Sequence, residues 1–429
     1  MTHQFSASDP RYEFALSIVR QLRSAGFQAL WAGGCVRDQA LGIVPKDYDV
    51  ATDATPTQVI QLFGERRTVP IGASFGVVMV TGTSRRQGQV EVATFRSDGA
   101  YLDGRHPQSV RYCSAREDAL RRDFTINGMF FDPIAGTVID YVEGLEDLKR
   151  KTVRAIGDPL ARFSEDKLRM LRAVRFATTF QFHLDEATTD AIRLLSHQIT
   201  QVSTERILQE LKRMLAHPAR QLAFTLMHST GLLSEILPEL YSDQHSIVSE
   251  MPVLQSALHK LESIRFEPAL AILLQHLTHH DSSRTAAAVQ PVRGICRRLK
   301  MANEETDAVC WILDSLNQLD HLASKPLHFL KPLLAHRHAA ELLAVSSALA
   351  AARGLPADDA DFAWHYLSRH SQSELSPEPL INGSDVMALG IPEGPQIRNL
   401  LTIVRNAQLD EQIQNRDSAL ALLRSLATP

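Results

Sequence analysis

The chain has 429 residues, enough for several packed cores rather than one small domain. Acidic residues outnumber basic ones by only 49 to 45, a net charge of −4, which excludes a strongly cationic protein that coats any nucleic acid indiscriminately. Hydrophobic residues at 44% and charged ones at 22% exclude a disordered chain, and four scattered cysteines without a CxxC pair argue against a disulfide scaffold or thiolate zinc site.

The opening MTHQFSASDPRYEF carries no apolar export core, and no later run of about 18 apolar residues reaches across a bilayer, so a cytoplasmic location is expected. Ser8-Asp9-Pro10 predicts a helix start, because a polar side chain can cap and proline suits the first turn; the periodic stretch FALSIVRQLRSAG then stops at Gly26. Strands are expected in QALWAG, DYDVAT, GVVMVTG, VEVATFR and TVIDYVEG, with helices around VRDQALG and PTQVIQLFG. After residue 150 helical periodicity dominates, in EDKLRMLRAVRFATTF, EATTDAIRLLSHQI, TERILQELKRMLAH and RQLAFTLMHSTGLLSEIL, and no further strand is expected. Polar or proline-bearing breaks fall near 217–218, 282–284, 354–359 and 371–379.

The stretch WAGGCVRDQALGIVPKDYDVAT (31–52) carries the most chemistry. Gly33-Gly34 lets the backbone approach a bulky anion, the helix opening behind it would aim amides at phosphates, and Arg37 one turn in can add a bidentate contact. Asp47 and Asp49 are two apart, so in a strand both carboxylates face one side. Such a pair beside a phosphate cradle suits magnesium, and two metals about 3.5–4 Å apart serve an in-line displacement. An exposed strand end is the plain alternative for DYD. Glu91, in VEVATF, is either a third metal ligand or a solvated strand residue.

With these residues the sequence resembles the polymerase β nucleotidyltransferase superfamily, and more narrowly the bacterial class II tRNA nucleotidyltransferase and poly(A) polymerase family. Four further segments carry the resemblance: RRDFTINGMFFDP (121–133), DYVEGLEDLKRKTVRAIGDP (140–159), FSEDKLRMLRAVRF (163–176) and STERILQELKRML (203–215). The resemblance implies an α+β fold: a mixed-sheet head at 1–150, then a helical neck at 151–217, body at 218–375 and tail at 376–429. It implies that Gly33, Gly34, Arg37 and Arg122 meet the triphosphate, and that Asp123 and Asn127 support the sugar or tie their motif together. RRDFTIN is expected to set Arg122 and Asp123 at a helix start, and a simple helix cap is the alternative for Asp123.

Asp166 and Arg169, three apart on an expected helix, resemble the family's protein template, which selects C or A without a nucleic-acid template. An exposed ion pair worth about 0.3–0.5 kcal/mol is the alternative. Arg172 and Arg175 continue the spacing, but each step of three turns the helix back by about 60°, so they hold phosphates or brace the head rather than read the base. Asp103, Gly104, Arg105 and His106 lie in a polar segment linked in the family to the switch from C to A addition. Ile381 to Leu401 resembles the tail segment, with Asp385 and Gly394-Pro395 suited either to gripping RNA or to packing. His276, His279, His280 and Asp281 are poorly spaced for a metal site. Lys149, Arg150, Lys151, Arg154, Lys212 and Arg213 can form a local basic track.

The activity implied is addition of C, C and A to the 3′ end of tRNA from CTP and ATP with magnesium, without an obligate protein partner. A poly(A) polymerase and an enzyme adding only the final A are the nearest rivals. A catalytically silent RNA-binding module and a metal phosphohydrolase are the readings of other classes.

Overall fold

A computed structural model of the chain describes residues 9–72, 76–98, 110–242, 247–278 and 289–427. The polar segment with Asp103, Gly104, Arg105 and His106 lies outside the described residues, as do His279, His280 and Asp281. The chain divides into two compact units, residues 1–214 with 222–238, and residues 215–221 with 239–429.

The first unit is built on a seven-stranded sheet. Its strands are β1 (Ala29–Ala32), β2 (Asp49–Thr52), β3 (Thr68–Gly72), β4 (Val77–Thr81), β5 (Gln89–Thr94), β8 (Phe130–Asp132) and β9 (Thr137–Ile139), in the order β3-β4-β5-β2-β1-β8-β9. The β2–β5 pair is parallel and its neighbours are antiparallel. A separate hairpin pairs β6 (Arg96–Asp98) with β7 (Val110–Tyr112). Strand alternation sorts the side chains: Leu30, Ala32, Ala51 and Phe130 join one core with Phe95, Ala119, Val142 and Ile156. Trp31 points the other way, stacked on Phe131 and packed against Tyr12 and Tyr48.

Local chemistry sets the helix starts. Asp9 caps α1 (Pro10–Ser24) by accepting from the Arg11 amide, and α1 buries Phe14, Ile18, Val19 and Leu22. After α2 (Gly34–Ala40), capping boxes open both α3 (Pro56–Phe63), through Thr55 and Gln58, and α4 (Ala115–Leu120), through Ser114 and Glu117. In α5 (Gly144–Lys149) the first residue is glycine because a Cβ there would stand 2.3 Å from the Thr125 carbonyl oxygen. The unit continues through α6 (Pro159–Glu165), α7 (Leu168–Phe180), α8 (Glu186–Leu195) and α9 (Thr204–Leu215), then α10 (Arg220–Ser229).

Several features differ from the sequence expectations, among them β6, β7 and α4, which fall where no separate strand or helix was expected. β3 and β8 are strands that the pattern did not announce: β3 holds Pro70 and sits at the sheet edge, where a missing amide is tolerated, and β8 is only three residues long. The chain beyond 150 does contain strand, a two-residue parallel pairing of β10 (Thr152–Val153) with β11 (His183–Leu184). The expected helix through 165–180 is broken, since Asp166 is extended between α6 and α7. Arg122 and Asp123 follow the end of α4 rather than opening a helix; a short 3₁₀ turn, Thr125–Asn127, comes next.

The second unit is helical. Its helices include Met251–Lys260, Phe266–Leu274, Asn303–Leu316 and Ala339–Arg353, with a nearly all-apolar buried run from Ala269 to Leu274. Towards the end, Gly383–Met387, Pro395–Leu409 and Arg416–Ala427 close over Ile381, Val386, Leu400, Val404, Ala419 and Leu423. Asp410 accepts from the His328 amide and ring, and Glu411 pairs with the buried Lys331, tying the helix Leu327–Ala335 to the end of Pro395–Leu409.

Candidate active site

Two groups of charged side chains gather in the first unit. The first is acidic. Tyr48 is buried against Trp31 with ring centroids 4.9 Å apart, and Asp49, which follows it and pairs with Ala32, alternates to the face opposite Trp31. Asp49 opens β2, while Asp47 lies just ahead of the strand and is exposed. The parallel register pairs Val50 with Val92, which brings Glu91 of β5 alongside Asp49. Burial, reinforced by Glu91 and Asp47 and opposed by Arg122, pushes the Asp49 carboxyl up to about 6. All the donors here are oxygens, the set a hard divalent cation prefers. Among the described residues no group of three or more His, Cys, Asp or Glu side chains is placed to hold a metal ion, so Glu91 does not complete a three-carboxylate site with Asp47 and Asp49 in this geometry.

The second group is a cationic cleft of about 490 Å³, lined by Gly33, Gly34, Arg37, Arg96, Arg121, Arg122, Asp123, Asn127, Asp166, Arg169, Arg172, Phe176 and Arg206. Seven arginines against two aspartates make it a site for a polyanion. β1 delivers the chain to Gly33, whose φ of 70° and ψ of −128° only glycine adopts readily, and α2 starts there. A Cβ on Gly33 would sit 3.3 Å from Arg122 Nη1. From α2, Arg37 donates to Asn127 Oδ1 at 2.6 Å and to Asp38, and its guanidinium lies 4.4 Å from the Phe180 ring centroid. Arg122 donates twice to Asp118 and once to the Asn127 carbonyl oxygen, and covers the Phe130 ring.

Asp123 accepts on one oxygen from the Phe124 amide and Asn127 Nδ2, and on the other from Arg172 Nε and Nη2 at 3.0 and 2.6 Å. Burial alone would raise its pKa, but Arg172 and these hydrogen bonds hold it below the usual carboxylate range. Asp123 is therefore the link between the RRDFTIN turn and α7, and not a helix cap.

Asp166 and Arg169 both face the cleft, yet they do not pair with each other there. Asp166 accepts from the Leu168 amide at 3.1 Å and from Arg206 Nη2 of α9 at 2.9 Å. Arg169 is buried; it pairs with Glu165 and donates to the Arg162 carbonyl oxygen at 3.0 Å. An exposed helical ion pair is thus not what this spacing encodes. Arg172 lines the cleft, whereas Arg175 does not: it pairs with the buried Glu210 of α9 and stacks 4.0 Å from the Phe176 centroid.

Sequence reasoning missed Arg96, Arg121, Phe176 and Arg206 as lining residues, and the carboxylates that hold the arginines: Asp118 under Arg121 and Arg122, Glu165 beside Arg169 and Glu210 beside Arg175. Asp118 had a signal, its i, i+3 and i, i+4 spacing to Arg121 and Arg122 behind a capping box. The expected basic track is largely paired: Lys149 and Arg150 with Glu146, Arg154 with Asp147 and Asp185, Arg213 with Glu210. In the tail segment Asp385 closes a capping box with Asn382 and pairs with Arg416. Of the histidine cluster, His276 lies in the 3₁₀ turn Gln275–Thr278.

The sequence profile of the poly(A) polymerase head domain matches residues 29–154. That of the probable RNA and SrmB-binding site of polymerase A matches 181–243, and that of tRNA nucleotidyltransferase domain 2 (putative) matches 283–423. A CCA-adding enzyme of Geobacillus kaustophilus is 32% identical over 415 residues, covering 95% of each chain. The crystal structure of the Bacillus stearothermophilus CCA-adding enzyme in complex with CTP is 29% identical, with a TM-score of 0.78 over 97% of this chain and 98% of that one. The Thermotoga maritima CCA-adding enzyme complexed with tRNA shares the fold at 20% identity, with a TM-score of 0.67 over 97% and 95%.

Proposed function

Because this chain belongs to the family of CCA-adding enzymes, the class II tRNA nucleotidyltransferases, we propose that it adds C, C and A to the 3′ end of tRNA from CTP and ATP, releasing pyrophosphate. The observation that carries this reading is the cleft itself, where Gly33, Arg37, Arg122, Asp123, Asn127, Asp166, Arg169 and Arg172 converge from distant parts of the chain. A similarity running through 95% of a CCA-adding enzyme, together with a match to tRNA nucleotidyltransferase domain 2 at 283–423, supports this activity over poly(A) synthesis.

In this reading the tRNA 3′ hydroxyl attacks the α-phosphate of the nucleotide, and pyrophosphate leaves. Arg37, Arg122 and Arg172 neutralise and orient the triphosphate against Gly33 and Gly34. Asp123 and Asn127 tie the triphosphate side to α7. Asp166 and Arg169 present acceptor and donor edges to the base. Asp47 and Asp49, with Glu91 beside them, fit a hard cation held by few protein oxygens and otherwise by phosphate and water, which favours magnesium. Such an ion, when bound, eases deprotonation of the hydroxyl and offsets charge on the leaving group. The division into head, neck, body and tail at 150, 217 and 375 belongs to the same reading. So does a cytoplasmic location; among the described residues no helix is long and apolar enough to cross a membrane.

Labelled CTP and ATP, supplied separately and together with tRNAs ending before C, after C and after CC, test the proposal. Stepwise C, C, A incorporation is expected; no label from either nucleotide refutes it, and a homopolymer of A on any RNA replaces it with poly(A) synthesis.

A further inference from the structure

We propose that Asp118, which does not line the cleft, is the positioning residue for its triphosphate side, fixing Arg121 and Arg122 in the orientation in which a nucleoside triphosphate meets them. This rests on the reading that nucleoside triphosphates occupy the cleft.

The Asp118 residue is only 1% exposed, and its two oxygens are divided between the two arginines. Oδ1 accepts from Arg121 Nε and Nη2 at 2.9 and 2.7 Å and from the Arg96 amide at 3.2 Å. Oδ2 accepts from Arg122 Nε and Nη2 at 3.1 and 2.9 Å. One carboxylate thus orients two of the seven cleft arginines and holds the backbone of a third. The arrangement follows from sequence: Arg121 and Arg122, three and four positions on, leave the end of α4 within reach of Asp118, and the Ser114–Glu117 capping box fixes the turn that carries it.

Neighbouring guanidiniums repel each other, and each long side chain loses rotamer freedom when a ligand orders it. A carboxylate beneath them offsets the repulsion and removes that entropy before the ligand arrives. Asp118 does so without presenting negative charge to a polyanion, unlike Asp123 and Asp166, which line the cleft. With Nε and Nη2 of Arg122 engaged below, Nη1 is directed to the Asn127 carbonyl oxygen and the Gly33 turn. Arg121 and Arg122 in turn hold the Asp118 carboxyl below its ordinary range although burial opposes them. An asparagine at 118 has one acceptor in place of two, and its amide hydrogens would confront one of the guanidiniums.

The test is steady-state incorporation by the full chain carrying Asp118→Asn. KM for CTP and for ATP is expected to rise about tenfold and by the same factor, since these arginines lie on the phosphate side and not the base side. KM for tRNA stays unchanged, and inhibition by inorganic tripolyphosphate weakens by the same factor as KM rises. Unchanged nucleotide KM, unequal changes for CTP and ATP, or a fall in kcat alone overturns the proposal. Asp118→Glu, which keeps the charge, is expected to restore part of the affinity. It also replaces Asp118→Asn should that variant not fold, an unmoved KM then being the refuting result. A wild-type protein that incorporates neither nucleotide refutes the nucleotidyltransferase reading instead.

Discussion

The acidic cluster and the cationic cleft in the same unit are built on opposite electrostatic plans. In the cleft most arginines come with a carboxylate: Arg121 and Arg122 with Asp118, Arg172 with Asp123, Arg169 with Glu165, Arg206 with Asp166, Arg37 with Asp38. Its geometry is complete before any substrate arrives. Around Asp49 the neighbours Glu91 and Asp47 have the same sign, and the carboxyl is driven towards its protonated form. That cluster is finished only by something positive. One region recognises by pre-organisation, the other by unsatisfied charge, so substitutions in the two should fail in different ways.

The largest expected effect breaks the acidic side. Asp47→Ala or Asp49→Ala should lower kcat on the order of 10³-fold or more while tRNA binding, measured by filter retention, stays close to wild type. Lost tRNA binding with intact turnover would remove these residues from the reaction. On the cleft side the failure should be structural as well as functional. Arg172→Ala leaves Asp123 without its ion-pair partner but with the Phe124 and Asn127 hydrogen bonds, costing about 2 kcal/mol in urea unfolding.

A subtler cut separates base choice from affinity. Arg206→Ala releases one oxygen of Asp166, and incorporation of UTP or GTP relative to CTP should rise by about tenfold. Unaltered selectivity would show that α9 plays no part in fixing the reading edge. The smallest effect is thermodynamic and returns to Asp49. Between about pH 4 and 6 the folded chain keeps a proton that the unfolded chain has lost, so this group favours the metal-free fold at acidic pH, and its contribution disappears as pH rises through about 6. Metal binding needs the ionised form, so Mg²⁺ affinity by calorimetry should rise with pH through about 6. By the same sign, Asp49→Asn should stabilise the metal-free protein at pH 7.5 by about 1 kcal/mol, read as a higher melting temperature.

The patterns legible in the sequence were those that a few neighbouring residues dictate. Alternation in ALWA and DVAT puts Trp31 on the face opposite Leu30 and Ala32, and a local cap announces α1 while apolar period announces α3; α4, for all its capping box, was not anticipated. Several cleft residues also stood out, because glycine pairs and clustered arginines are conspicuous at short range. What stayed hidden depends on segments far apart in the chain. Nothing near Asp166 tells that Arg206, 40 positions on, donates to it, or that Glu210 takes Arg175 out of the cleft. The break between α6 and α7 was masked because the apolar period runs through it unchanged, while the extended backbone of Asp166 interrupts the ladder. Pro70 and the shortness of β8 obscured two of the seven strands.

The turn at Gly33 has a consequence for anyone wishing to retune this protein in the laboratory. Any side chain at that position meets two penalties together: a backbone angle that L-residues rarely adopt, and a neighbouring guanidinium that must shift by a few tenths of an ångström while Asp118 anchors it. Position 33 therefore offers directed evolution no gradual path, and altered triphosphate preference has to be sought among the arginines' supports instead.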